Sequence, residues 1–271
     1  MDPQGMDDVL CVEIPVSDGI EEDFNPEEAE AFARWLEILN AIEIPFVISG
    51  ALAIYAYTGI WRNTKDLDVF LKPSGLKPAL DAISAAGYKT EIRDRRWLAK
   101  VFHRSYFMDL IFGLSNNMIT MTDEWFENSR TMNLLGVQVP LIGLENLIAS
   151  KCYIARGDRF DGADIVHLIL ASKGRLEWNY ISHLLKDDPY ILLWHLTLFG
   201  YVYPGHADYL PMDMMKNLFN QMTQEMETEE NPKRFRGTLL DPLKFRVDCE
   251  RWGYENRTPR TPLVNHKGEE I

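Results

Sequence analysis

Polar and apolar positions alternate, or recur every three to four residues, in blocks that can be read element by element. Asn25-Pro26-Glu27-Glu28 combines a helix cap, a proline suited to the first turn, and acids at the positive end of a helix dipole. Phe32, Trp35, Leu36 and Leu39 follow at helical spacing, which predicts a helix to about Ile42 with that face on a sheet. Residues 46–48 read as a short buried strand, stopped by Ser49-Gly50-Ala51. Residues 52–57 suit the opening of a helix, and 66–71, Asp-Leu-Asp-Val-Phe-Leu, a second strand. Pro73-Ser74-Gly75 reads as a turn and 76–86 as a helix ended by Gly87. Residues 88–93 and 98–103 read as strands leading into another at 106–112. Polar residues 115–122 suit a loop, 125–132 a short linking helix or turn, and 137–141, with Pro140 inside, a last edge strand. From there the pattern is helical, over 143–155, 161–171, 176–185, 189–202 and 211–229. Tyr190, Leu193, Trp194 and Leu198 fall on a core face. Residues 9–16 suit a further edge strand.

This order predicts an α/β fold of the α+β type, a small mixed sheet covered by helices and followed by a helical C-terminal region. The expected divisions are an acidic arm (1–24), a catalytic-type domain (25–171), a helical region (172–230) and a tail (231–271).

The chemistry concentrates in residues 45–71. Side chains alternate faces along a strand, so Asp66 and Asp68 point the same way while Leu67 and Val69 point to a core. Two carboxylates on one face of an apolar strand repel each other and lose solvation, and a divalent cation removes both penalties. The alternative is a solvated strand edge. Asp109 is the one charge in the apolar run 106–112, and the small-residue turn at Ser49-Gly50-Ala51 sits where backbone N–H groups can face phosphate. Three carboxylates with such a turn are the equipment of two-metal phosphoryl-group chemistry, and a shared site requires them within roughly 6 Å of one another.

Gly50-Ala51, Arg62-x-Thr64-x-Asp66-Leu-Asp68 and then Asp109 resemble the DNA polymerase β-type nucleotidyltransferase superfamily, nearest its bacterial branch of AbiEii-type toxins and lincosamide-type enzymes. The resemblance covers about residues 45–170. Ala51 stands where that family has a second Gly or Ser, which keeps the backbone donor and drops a hydroxyl. The interval from Ala51 to Asp66 is at the long end of the family's range. The resemblance implies transfer of a nucleoside monophosphate from a nucleoside triphosphate to an acceptor, with release of pyrophosphate. Asp66 and Asp68 would hold the triphosphate-bound Mg²⁺, or Mn²⁺ in its place, and Asp109 would complete a second metal site that activates the acceptor, with Ser49, Gly50, Ala51, Arg62 and Thr64 around the nucleotide.

Two further residues break an apolar helical face. Lys151 follows Leu144, Leu147 and Ile148 at the next position of theirs, and Asp161 lies four residues before Ile165. Either they neutralise each other across a helix pair, or Lys151 reaches the nucleotide phosphates and Asp161 helps position the acceptor. Lys151 followed by Arg159-Phe160-Asp161-Gly162-Ala163-Asp164 also resembles the toxin branch, with Asp164 a second candidate neighbour of Lys151. Arg93, Arg95, Arg96, Lys100 and Arg104 gather with Trp97 around a hairpin, readable as a basic rim for substrate or as an edge strand protected by charge.

Composition sets the remaining limits. No run approaches the length of a membrane span. The formal net charge is −13, but eleven of the 41 acids fall in residues 1–30, which hold no Lys or Arg, so the rest of the chain is at −2. Bulk nucleic-acid binding is therefore disfavoured, with room for a local RNA contact. The tail from 231 is basic, nine Lys or Arg against six Asp or Glu. Cys11, Cys152 and Cys249 match neither a zinc spacing nor a disulfide framework, and the start of the chain lacks a basic and apolar leader, so a reducing cytoplasm is expected. A nucleotidyltransferase fold kept as a binding or regulatory module, and an Asp-x-Asp glycosyltransferase, are the competing functional readings.

Overall fold

A computed structural model describes residues 24–62, 64 and 66–256. The strand expected at 9–16, and all but the last residue of the acidic arm, lie outside the described residues. Helix α1 (Pro26–Ala41) starts where the cap predicts, the Asn25 side chain accepting the Glu28 N–H at 2.9 Å. Phe32, Trp35, Leu36 and Leu39 are all fully buried on one face.

The next elements are β1 (Phe46–Ile48), α2 (Gly50–Thr58), β2 (Asp66–Leu71), α3 (Pro73–Ala85), β3 (Lys89–Asp94), β4 (Leu98–His103) and β5 (Tyr106–Ile111). Pro73-Ser74-Gly75 is the first turn of α3 and not a separate turn. Proline at that position lacks only an N–H that the helix would leave unpaired anyway. The short α4 (Glu124–Glu127) leads to β6 (Arg130–Leu134) and β7 (Val137–Leu141). Then come α5 (Leu144–Lys151), α6 (Gly162–Ser172), α7 (Trp178–Leu184), α8 (Pro189–Val202) and α9 (Met212–Thr228).

The strands form one seven-stranded mixed sheet in the order β3-β4-β5-β2-β1-β7-β6. β7 is therefore an inner strand and β6 the edge. Pro140 is tolerated there because β7 meets the three-residue β1 only beyond it, at Ile48↔Leu141. The central strand β2 runs parallel to β5 and antiparallel to β1. Leu67, Val69, Met108 and Leu110 are at 0% exposure, the alternating half of β2 and β5 that faces the core. Burying each such side chain is worth about 1.5–3 kcal/mol, which pins the register and so fixes where the intervening residues point.

α1 packs on α3, while α2, α5 and α6 pack on one another. Leu192, Leu196 and Phe199 of α8 join the same buried cluster. Among the described residues no helix is long and apolar enough to cross a membrane.

Candidate active site

The register of the central strands builds the site. Asp68 lies directly beside Asp109 on the parallel pair β2/β5, and Asp66 beside Phe107. One carboxylate oxygen from each of Asp66, Asp68 and Asp109 lies within 4.8 Å of the other two. Oxygens sharing one hard cation at ligand distances of about 2.1–2.5 Å lie no more than roughly 5 Å apart, so this all-oxygen donor set fits Mg²⁺. Burial pushes the Asp68 carboxyl up to about 7, the charges of Asp66 and Asp109 add to that, and Lys151 and Arg159 oppose it. Burial likewise raises Asp109, against the pull of Lys100. No hydrogen-bond donor among the described residues reaches the Asp68 carboxylate. Thr64 Oγ1 donates to Asp66 Oδ1 and fixes that side chain.

The turn joins the same cluster. The Ser49 N–H donates to the Asp68 carbonyl at 2.9 Å, which ties the start of α2 to β2. Ser49 is buried, Gly50 has φ +63°, and the Asp68 carboxylate occupies the space where a side chain on Gly50 would begin. Only glycine accepts both that backbone angle and that contact. Gly50, Ala51 and Leu52 open α2, whose first N–H groups have no partner within the helix.

A second charged layer lies on the helices behind. Lys151, at the end of α5 and 5% exposed, donates to Asp161 Oδ2 at 2.7 Å and lies 2.9 Å from Asp164 Oδ2. Arg62 reaches Asp164 Oδ1 at 2.5 Å, and Arg159 clasps both oxygens of Asp161 at 2.8 and 2.9 Å. Burial alone would raise the Asp161 carboxyl, but Arg159 and Lys151 outweigh it and hold it below the usual carboxylate range. Lys151 thus has both Asp161 and Asp164 as partners, the two acids that the sequence offered as alternatives.

The basic hairpin splits into two parts. Arg93 pairs with Glu91, Arg96 with Asp94 and Arg104 with Glu27, all on the surface, as an edge protected by charge requires. Lys100 belongs instead to the site: its Nζ lies 2.7 and 3.0 Å from the two oxygens of Asp109. Sequence reasoning placed Lys100 on the rim and did not single out Arg159 for the nucleotide. The signal for Lys100 was the two-residue turn Arg104-Ser105, because counting back along both strands from His103↔Tyr106 sets Lys100 opposite Asp109. Among the described residues, the three aspartates are the one group of three or more His, Cys, Asp or Glu placed to share an ion.

A family model described as a nucleotidyltransferase of unknown function (DUF6036) matches residues 29–197, well over half of the chain. The chain belongs to this nucleotidyltransferase family. That bears out the superfamily resemblance carried by Gly50-Ala51, Asp66-Leu-Asp68 and Asp109, and sets the glycosyltransferase reading aside. Solved structures similar to this nucleotidyltransferase include the antibiotic-resistance factor ANT(2'')-Ia, at 17% identity over 64% of this chain and 97% of that one, TM-score 0.44. The lincosamide antibiotic adenylyltransferase LnuA is similar at 15% identity over 53% and 96% of the two chains, TM-score 0.37. A nucleotidyltransferase from Thermotoga maritima is similar at 14% over 45% and 81%, TM-score 0.37. No curated protein matches the chain significantly.

Proposed function

We propose that this nucleotidyltransferase moves a nucleoside monophosphate from a nucleoside triphosphate to a hydroxyl or amine acceptor in a metal-dependent reaction. The observation that carries the reading is the convergence of Asp66, Asp68 and Asp109 within 4.8 Å beside the N-terminus of α2. Asp66 and Asp68 would hold the cation that accompanies the triphosphate. When bound, Mg²⁺, or Mn²⁺ in its place, neutralises charge at the phosphates and lowers the pKa of an acceptor hydroxyl. The backbone at Ser49, Gly50 and Ala51 faces the triphosphate with the positive end of α2. Arg62, Arg159 and Lys151 supply the positive field behind it, with Asp161 and Asp164 holding those cations in place. Thr64 keeps Asp66 oriented.

In the transfer, a lone pair of the acceptor atom forms a bond to the α-phosphorus. The bond from that phosphorus to the α,β-bridging oxygen breaks, and its electrons leave with pyrophosphate. Asp109, raised above the ordinary carboxylate range by burial, takes the acceptor's proton. The near-neutral charge of the chain beyond residue 30 suits a small molecule, a protein side chain or a locally contacted RNA end better than a long polyanion. The test is incubation with each α-labelled nucleoside triphosphate and Mg²⁺, following pyrophosphate release and label transfer. Wild type should release pyrophosphate and Asp68→Asn should be slower by orders of magnitude. Equal rates for the two proteins would remove the carboxylates from the reaction.

A further inference from the structure

One cationic side chain enters the carboxylate cluster itself. Lys100 and Asp109 are directly opposed on the antiparallel pair β4/β5, and Asp109 is in turn opposed to Asp68 on β2. A row Lys100–Asp109–Asp68 therefore crosses three neighbouring strands. The ammonium touches both oxygens of Asp109 and lies 3.9 Å from the centroid of the Phe107 ring. Phe107 precedes Asp109 by two residues and so projects from the same face of β5. Lys100 is held from two sides, with only 20% of its side chain exposed.

We propose that Lys100 takes the place of a second divalent cation, so that the site works with one metal ion, held by Asp66 and Asp68, and one fixed ammonium on Asp109. The inference rests on the metal-dependent reading above and deepens it. A second ion would have to displace Lys100 from both Asp109 and Phe107, or sit against a positive charge within a few ångströms. The two ends of the cluster also differ in the way this division requires. Asp109 already has its cation, whereas no donor among the described residues reaches the Asp68 carboxylate. Lys100 is then a positioning residue that holds the Asp109 carboxylate aimed at the acceptor.

Counting bound Mn²⁺ tests this without reference to turnover. Mn²⁺ is titrated by electron paramagnetic resonance in the presence of non-hydrolysable analogues of ATP, GTP, CTP and UTP in turn. Wild type and Lys100→Arg, which keeps the charge, should each take up one ion per chain. Lys100→Met, which keeps the length and removes the charge, should take up two, and its melting temperature should respond more steeply to Mn²⁺ than that of wild type. Two ions in wild type would overturn the role of Lys100 while leaving the metal-dependent reading intact. One ion in Lys100→Met would also overturn it. No ion in any of the proteins with any analogue would instead sink the metal-dependent reading on which it rests.

Discussion

A β-carbon added to Gly50 would lie 1.8 Å from Asp68 Oδ2, well inside the van der Waals shell of the carboxylate. The turn and the strand that carry the site are thus in contact at the one residue that has no side chain. Gly59, at φ +71°, is a matched control, since a β-carbon there meets nothing within 4 Å. Gly59→Ala should cost about 1–2 kcal/mol from backbone strain alone. Gly50→Ala should cost a further ~1–3 kcal/mol, because it must also move a carboxylate in a packed site. Denaturant titration of the two variants measures the difference. Nucleotide-dependent stabilisation should survive in Gly59→Ala and vanish in Gly50→Ala.

The raised Asp68 carboxyl sets the pH dependence of the cation-free protein. Its pKa is about 7 in the folded state, against about 3.9 for an unfolded aspartate. The folded protein therefore binds the extra proton between these values, and stability falls as pH rises from about 4 to about 7. This group contributes up to about 1.4 kcal/mol per pH unit, and Asp109 adds in the same direction. Melting curves in chelator should show that decline, and Asp68→Asn should flatten it. Mg²⁺ should stabilise wild type most above pH 7, where Asp68 has lost its proton.

Lys151 supports two buried carboxylates at once. Lys151→Met leaves Asp161 with Arg159 and Asp164 with Arg62, so the loss should fall near the lower end of the ~3–5 kcal/mol typical of a broken buried pair. Adding Asp164→Asn should recover part of it. A double-mutant cycle in urea measures the coupling, and additive effects would show that the two charges do not support each other.

Arg159 should matter more for binding than for stability. Its own side chain is 60% exposed and buried Asp161 keeps Lys151, so Arg159→Ala should lower the melting temperature less than Lys151→Met does. Losing a charge-assisted contact of about 1.5–3 kcal/mol should weaken triphosphate binding roughly tenfold or more. Calorimetry with a non-hydrolysable triphosphate separates the two effects. A large fall in melting temperature with unchanged affinity would make Arg159 a structural residue only.

The three aspartates were legible because period-two alternation is a local property: apolar Leu67, Val69, Met108 and Leu110 dictate where their neighbours point. β6 was not legible, although Met132 and Leu134 alternate with exposed Thr131 and Asn133. Its turn to β7 is Leu135-Gly136, both at positive φ, a conformation that normally advertises itself by Asn-Gly. With leucine in the first place the hairpin signal is muted, and without β6 the strand β7 reads as an edge. Whether Lys151 meets Asp161, Asp164 or both depends on how α5 and α6 pack, which helical periodicity in either segment alone does not specify. Lys100 could have been placed by counting from its turn, but its basic neighbours made the whole hairpin look like surface.

Asp66, Asp68, Asp109 and Ser49 all lie on or directly after β5, β2 and β1, three adjacent inner strands. Arg159 instead lies on the loop before α6, anchored from outside by the Gly157 N–H to Asp241 and by Arg156 to Ser115. These two halves of the nucleotide site belong to different tiers of the protein's opening hierarchy. Amides of the inner strands exchange with solvent only when the whole sheet opens, while the loop can open and close at a small fraction of that free energy. Under the proposed function, hydrogen exchange with and without a non-hydrolysable triphosphate should therefore protect the arginine loop and leave the strand amides unchanged.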